Sequence, residues 1–208
     1  NVFDNSDNQI IYIPGANKFT SHKQVSPENL DAAKIVVSQM EVNAEEVDQL
    51  FVNSKDKKCL NILNLAPFKK PSNTLIAHTD VLVFNELEFS LFTSLDTYGP
   101  LEVDNLKEKL ENLNLSKELS LIVTLGERGL VFYENNKMDY IEAEKVKAVD
   151  TVGSGDCFVG ALSYSLLNGK SLKDSCEFAN KSAAISVTKK GAATSMPKIE
   201  EVRSFYKL

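Results

Sequence analysis

Asp150-Thr-Val-Gly-Ser-Gly-Asp-Cys-Phe-Val-Gly-Ala-Leu162 sets a glycine-containing loop directly ahead of an apolar helix. Gly153 and Gly155 let the backbone turn tightly and bring its N–H groups close to a ligand. The first N–H groups of a helix have no internal acceptors and sit at the positive end of its dipole. Such an end binds anions, and phosphate suits it best. Asp156 is open to two readings. As a helix cap it would need no ligand. Beside a bound phosphate, the obvious work for a carboxylate is to take the proton of a hydroxyl that attacks phosphorus. The helix predicted here, Asp156–Leu167, is mostly small and apolar and so buried on several sides, with Gly169 as its C′ stop.

Working outward, strand and helix patterns alternate, which predicts a parallel α/β sheet. Strands are predicted at Gln9–Ile13, Ile35–Met40, Asn61–Leu65, Val81–Phe84 and Leu119–Thr124. Leu130–Glu134 and Met138–Glu142 flank Asn135-Asn136, a pair that tolerates positive φ and so reads as a hairpin. Helices are predicted from Ser26-Pro27 (Ser as N-cap, Pro at the first helical position) and at Ala44–Ser54, Glu86–Thr93, Leu101–Leu113, Leu172–Lys189 and Ile199–Tyr206. Thr97–Pro100 reads as a loop too short to link two domains. All 208 residues are therefore taken as one domain.

The apolar fraction, 43%, is enough for a core. A net charge of −6 argues against nucleic acid as a partner. No apolar run approaches the ~18 residues of a membrane span. The three cysteines, Cys59, Cys157 and Cys176, lack metal-ligand spacing, and so odd and sparse a set predicts reduced thiols and a cytoplasmic protein. With only His22 and His78 in the chain, a histidine-based triad is an unpromising reading. Cys157, at the head of an apolar helix with no histidine nearby in sequence, is read as structural, as is His78 near a strand start.

Other candidate groups fall at strand ends, where open parallel sheets bind their ligands. Asn85-Glu-Leu-Glu88 puts an amide oxygen and a carboxylate on one helical face, a pair suited to a hard divalent cation. The same residues would also serve as an Asn N-cap with first-turn acids. Thr124-Leu-Gly126-Glu-Arg-Gly129 allows a tight turn beside a nucleotide or a plain β-turn. Glu41, in Ser38-Gln-Met-Glu41, could bind sugar hydroxyls or be an ordinary loop acid. Lys189-Lys-Gly-Ala-Ala-Thr-Ser195 could be a site or a solvated basic patch with Gly191 as a C-cap.

In this order and spacing, the motifs resemble the ribokinase family of carbohydrate kinases, also called the pfkB family. The resemblance is carried by Asp150–Asp156, Gly15-Ala-Asn17, Ser38-Gln-Met-Glu41, Asn64-Leu-Ala-Pro67, Asn85-Glu-Leu-Glu88, Thr124-Leu-Gly126 and Ala183-Ala-Ile-Ser-Val-Thr-Lys-Lys-Gly191, across essentially the whole chain. It implies a three-layer α/β/α fold with a mostly parallel sheet. It also implies ATP-dependent phosphorylation of a small sugar, at the 5-hydroxyl of D-ribose, with another sugar or a nucleoside as the alternative acceptor and a non-catalytic nucleotide-binding module as the alternative class.

The roles that follow from the resemblance are these. Asp156 would be the base and touch the sugar, and the amides of Gly153, Ser154 and Gly155 would form the anion hole. Asn85 and Glu88 would organise Mg2+ and phosphate. Asn85, Thr124 and Gly126 would line the ATP site, with Asn180 near adenine. Glu41 would contact ribose. Asp150, Val152, Ser186, Lys189, Gly191 and Ser195 would bind K+, mostly through carbonyls. Ser154 stands where the family often has Ala, and Asn64-Leu-Ala-Pro67 where it usually has Asn-Pro-Ala-Pro; both departures leave the implied roles intact. The family pattern also includes earlier sequence: an Asp that grips the sugar, a glycine-rich segment, the first sheet strands and most of a β-lid through which two copies often pair. The resemblance thus implies a partial form of a longer kinase, an N-terminally incomplete ATP-binding and catalytic domain with residues 1–14 as a strand of the lid.

Overall fold

In the computed structural model, residues 2–4, 7–9, 13–94, 100–113 and 115–206 are described. Most of the strand expected at Gln9–Ile13 and of the loop expected at Thr97–Pro100 lies outside them. The elements are β1 (Val2–Asp4), β2 (Asp7–Gln9), α1 (Pro27–Ala32), β3 (Ile35–Ser38), α2 (Ala44–Asp56), β4 (Leu60–Asn64), α3 (Asn73–Ala77), β5 (Val81–Asn85), α4 (Glu86–Thr93) and α5 (Val103–Glu111). After them come β6 (Ser120–Thr124), β7 (Leu130–Glu134), β8 (Lys137–Ile141), α6 (Ser154–Leu167), α7 (Leu172–Ser186) and α8 (Ile199–Tyr206).

Strands β3 to β8 pair in sequence order, the first four parallel and the last two antiparallel. Right-handed crossovers between sequential parallel neighbours put their helices on one face of the sheet. Alternation along each strand then feeds two cores. Leu63, Leu82, Phe84, Leu121 and Val123 pack with Phe51, Leu75, Phe89 and Leu106 of α2 to α5. Ile62, Val81, Val83 and Ile122 pack with Phe158, Leu162, Cys176 and Ala179 of α6 and α7. The result is the expected three-layer α/β/α arrangement. β1 and β2 pair with each other as a separate antiparallel ribbon.

Local signals act largely as anticipated. Ser26 caps α1 by accepting from the Asn29 amide at 3.2 Å, with Pro27 following it. Asn135 and Asn136 adopt φ of 53° and 62° between β7 and β8. Gly169, at φ 76°, stops α6. Several boundaries move. The strand predicted to reach Met40 ends at Ser38, because the Met40 amide turns to bond Ala66 O at 2.9 Å. The helix predicted to reach Lys189 ends at Ser186, with Val187 as its cap. The helix predicted at Leu101–Leu113 is trimmed to Val103–Glu111, since both backbone polar groups of Leu101 bond side chains instead. The short helix α3, capped by Ser72, was not anticipated.

At the amino ends of the strands a buried polar knot joins three elements. Asn61 is fully buried. Its Nδ2 donates to Phe51 O at 3.0 Å and His78 O at 2.8 Å, and its Oδ1 accepts from the Ser54 hydroxyl at 2.6 Å. Its backbone N–H donates to Asp80 Oδ2 at 2.7 Å, and Asp80 also pairs with Lys55. Removing a partner from a satisfied buried network exposes the desolvation cost of the groups left behind. Asn61→Ala is expected to cost about 2–4 kcal/mol in denaturant unfolding; a cost below about 0.5 kcal/mol, the range of ordinary surface changes, would show that the knot is dispensable.

A second tie fixes the segment around His22 to α2. Glu46 Oε2 accepts from the His22 amide and the Ser21 hydroxyl, both at 2.8 Å, and lies 2.6 Å from His22 Nδ1. The backbone bond leads these effects, which together hold the Glu46 carboxyl down at about 2 against an ordinary 4.5. Depression of a folded-state carboxyl pKa stabilises the fold above the unfolded-state value, and this is lost as pH falls through the folded value. The stability difference between the parent chain and Glu46→Gln should therefore be constant at neutral pH and shrink between about 4.5 and about 2. A difference that ignores pH across that window would remove Glu46 as its source.

Candidate functional site

α6 begins at Ser154, with Gly153 in its N-cap position at φ 80° and no side-chain cap. Asp156 is therefore the third helical residue and not the cap, so the capping reading falls. Its side chain stands exposed over the first turn. The Ser154 amide closes a turn onto Thr151 O at 3.2 Å. In a first turn the amides of Gly155 and Asp156 have no intrahelical acceptor, so they face whatever lies at the helix end. Gly155 leaves open space where a side chain would be. A Cβ on Gly153 would come within 3.1 Å of Ala192 and 3.3 Å of the Met196 side chain, so the loop is pressed against the chain that follows α7.

Asp150 makes that contact specific. Its Oδ1 accepts from the Val152 amide at 3.0 Å and its Oδ2 from the Gly191 amide at 2.8 Å. These bonds, Gly191 first, lower its pKa and hold the carboxylate ionised. The amides of Val149 and Asp150 both donate to Val187 O, at 2.7 and 3.1 Å. The Ser186 carbonyl accepts from the Lys189 amide at 3.2 Å, and the buried Ser195 hydroxyl donates to Ala192 O at 2.7 Å. One compact corner thus gathers the segments bearing Asp150, Val152, Ser186, Lys189, Gly191 and Ser195. The carboxylate itself is held there by two backbone N–H groups.

Beside the first turn of α6 lies a cavity of about 470 Å3. Thr124 and Gly126 line it from the end of β6, Ser154 and Gly155 from α6, and Asn180 from α7. Thr124, Gly126 and Asn180, expected at the ATP site, thus line one space with two residues of the expected anion hole, whereas Asn85, also expected at the ATP site, is not among the lining residues. A wall that was not foreseen runs from Ala143 to Ala148 after β8. No periodicity marks that stretch, and Asn180 attaches to it by donating to Glu142 O at 2.8 Å. Gly129 also lines the cavity. A Cβ there would overlap Ile141 O and come within 2.7 Å of the Ala143 nitrogen, at φ 101°.

Asn85 and Glu88 form a reciprocal capping box on α4. Asn85 Oδ1 accepts from the Glu88 amide, and Glu88 Oε2 accepts from the Asn85 amide, each at 2.8 Å. Their capping role is thus real, and it leaves the second carboxylate oxygen for other work. Glu88 is buried, and burial raises its pKa against the lowering effect of the Asn85 bond. A desolvated carboxylate of this kind gains from a nearby cation. Among the described residues no group of three His, Cys, Asp or Glu side chains could hold a metal. Glu41 follows the carboxyl end of β3, on the same edge of the sheet.

The residues read as structural behave so. Cys157 is buried, which pushes its thiol up in pKa against the opposing Ser186 bond. The His78 ring bonds Thr74 O at 2.8 Å at the end of α3. All three cysteines are free. No helix among the described residues is long and apolar enough to cross a membrane.

An open, mostly parallel sheet with a glycine-loop helix start beside a cavity is an arrangement found in α/β proteins that bind nucleotides. The pfkB family carbohydrate kinase model matches residues 2–199, and the chain belongs to that family. A ribokinase of Dictyostelium discoideum is 37% identical over 218 residues, covering 97% of this chain and 69% of that protein. The structure of a Thermotoga maritima ribokinase superposes with a TM-score of 0.83 at 31% identity, over 98% of this chain and 66% of that one. An Arabidopsis thaliana ribokinase complexed with ribose and ATP gives 0.85 at 26% identity, over 98% and 66%. The chain spans about two thirds of the length of these relatives.

The two turn glycines of the cavity should differ sharply. Gly129→Ala forces backbone overlap and is expected to cost more than about 3 kcal/mol or to abolish soluble protein. Gly126→Ala meets open space and bears only its positive φ, about 1–2 kcal/mol. Equal costs in parallel denaturant melts would contradict the close approach at Gly129.

Proposed function

We propose that the chain carries the nucleotide site and the base of a kinase that transfers the γ-phosphate of ATP to the 5-hydroxyl of D-ribose. The observation that carries this reading is the shared first turn of α6: its Ser154 and Gly155 line the cavity, and Asp156 stands exposed beside them. Family membership and the ribose and ATP bound to the Arabidopsis relative support the choice of substrates.

In the proposed reaction, the Asp156 carboxylate takes the proton of the sugar hydroxyl as that oxygen bonds to the γ-phosphorus. The bond from phosphorus to the β–γ bridging oxygen breaks, and ADP leaves with the electron pair. The first-turn amides of α6, together with the Gly153 loop, face the equatorial oxygens and stabilise their charge. A loose transition state of this kind depends on positioning and charge neutralisation more than on a strong base. Thr124 and Gly126 flank the nucleotide, and Asn180 holds the wall near its base. Asn85 and Glu88 would organise Mg2+, which supplies neutralisation of the phosphates when bound. Asp150, Ser195 and the carbonyls of Val152, Ser186, Lys189 and Gly191 would hold K+. Glu41 would bond ribose hydroxyls. The ribbon β1–β2, apart from the main sheet, is read as part of a lid over the sugar and as the surface where two copies would pair.

Asp156→Asn keeps the shape of the site and removes its base. Turnover in a coupled ADP-release assay should fall by about 10²–10⁴, the usual worth of general-base catalysis, while ATP affinity stays within about threefold. Unchanged turnover would take the base role from Asp156. Across ribose, 2-deoxyribose, fructose and adenosine, ribose should give the highest kcat/KM; a tenfold preference for another acceptor would replace it.

A further inference from the structure

We infer that Arg128 and Glu86 form a positioning clamp that holds the nucleotide turn, Gly126–Gly129, in register with the Asn85–Glu88 turn. The inference rests on the kinase reading above and assigns work to two residues which that reading leaves idle.

The clamp is a closed ring of three members. Arg128 Nη1 donates to Leu101 O at 2.8 Å, and Arg128 Nη2 pairs with Glu86 Oε1. The same Glu86 oxygen accepts from the Leu101 amide at 2.8 Å. Both backbone polar groups of Leu101 are thereby satisfied by side chains, while its own side chain is buried in the core at 3% exposure. An exposed ion pair contributes little by itself. This pair is about one-third exposed on each side, and each member also satisfies backbone that has no ladder partner. Only a planar guanidinium can donate to a carbonyl and a carboxylate in this fork.

Position gives the ring its role. Asn85 and Thr124 are register partners at the last rung joining β5 and β6. Past that rung the sheet no longer sets the spacing of the two chains. Glu86 is the next residue on one side. Arg128 lies in the turn on the other, between Glu127 and Gly129, both of which line the nucleotide cavity. Its side chain points away to Glu86 and Leu101, and its carbonyl accepts from the Tyr140 hydroxyl. Arg128 thus acts through the turn, as a positioning residue and not a catalytic one. Small misplacements of a site wall are expensive in phosphoryl transfer, where alignment carries most of the catalysis.

The test uses the whole chain with Arg128→Gln, Arg128→Lys, Glu86→Gln and the double variant Glu86→Gln/Arg128→Gln, with ATP affinity measured by calorimetry well below the melting temperature. Arg128→Gln and Arg128→Lys should each weaken ATP binding about tenfold, and the double variant should bind no more weakly than Arg128→Gln alone, since the ring acts as a unit. The KM for sugar should stay within about twofold of the parent value in any variant that turns over. Lowered melting temperature with ATP affinity within about twofold of the parent value would reduce the ring to a structural brace and overturn the inference, as would additive losses in the double variant. Should Arg128→Gln fail to fold, Arg128→Lys and Glu86→Gln still decide. ATP affinity does not depend on which residue takes the proton. ATP binding by the parent chain together with turnover unchanged in Asp156→Asn therefore sinks the proposed mechanism and leaves the clamp to be judged. A parent chain that binds no ATP overturns both.

Discussion

The carboxylate of Asp150 is the interaction on which the site depends. By accepting from Val152 and Gly191 at once, it bends the loop before α6 and fastens it to the chain leaving α7. That fastening holds Gly153 in a left-handed conformation against Ala192. With glycine in the N-cap position, no side chain competes for the first-turn amides of α6. They remain directed at the cavity. A serine or aspartate cap would stabilise the helix by satisfying one of them, and would occupy that donor by the same act. The fold gives up a local capping gain, and the tertiary bond from Asp150 stabilises the loop in its place.

The two ends of the sheet have divided roles, and the chemistry of each follows. At the amino ends Asn61, Ser54, Lys55 and Asp80 form a knot in which every buried polar atom of Asn61 is matched. Such a knot specifies how α2, β4 and β5 meet and needs no ligand. At the carboxyl ends the acceptors are more open: Asp156 is exposed, and the capping box occupies one oxygen of the buried Glu88 carboxylate. Burial raises the pKa of Glu88, whereas backbone donors lower that of Asp150. Two carboxylates on one rim are thus pushed in opposite directions by solvation and hydrogen bonding. The Asp150 carboxylate is thereby committed to holding its loop, while that of Glu88 is partly desolvated.

The parts legible in the sequence were those written in short-range patterns. The apolar run Val81–Phe84 marked β5, and Ser26-Pro27 and Asn135-Asn136 marked a cap and a turn, because in each case neighbours within a few residues decide the conformation. The glycine-loop helix end was legible for the same reason. The wall from Ala143 to Ala148 was not, since it has no regular structure and is placed by Asn180 from 38 residues away. The shortening of the helix after Leu101 was equally hidden. Val103, Leu106 and Leu110 carry a helical stripe, but Leu101 is taken out of it by Glu86 and Arg128. Asp156 shows the limit from the other side. An Asp near a helix start reads as a cap by frequency, and only the turn of Thr151 to Ser154 shows that the helix begins two residues earlier.

These cases share one physical cause. A parallel sheet satisfies its backbone through ladders, and the ladders stop at the strand ends. The chain beyond them still carries a donor and an acceptor on nearly every residue, which must find partners if they are not left to water. Here the partners are side chains reaching across: Asp150 to Val152 and Gly191, Asn180 to Glu142, Glu86 and Arg128 to Leu101, and Asn85 with Glu88 to each other. Each bond fixes one wall of the cavity beside α6 or a turn near it. Side chains that bind backbone in this way differ from residues that touch substrate, yet the position of the substrate-facing groups is set by them. The rim can therefore be held in place by side chains while the first-turn amides of α6 keep no intrahelical acceptor.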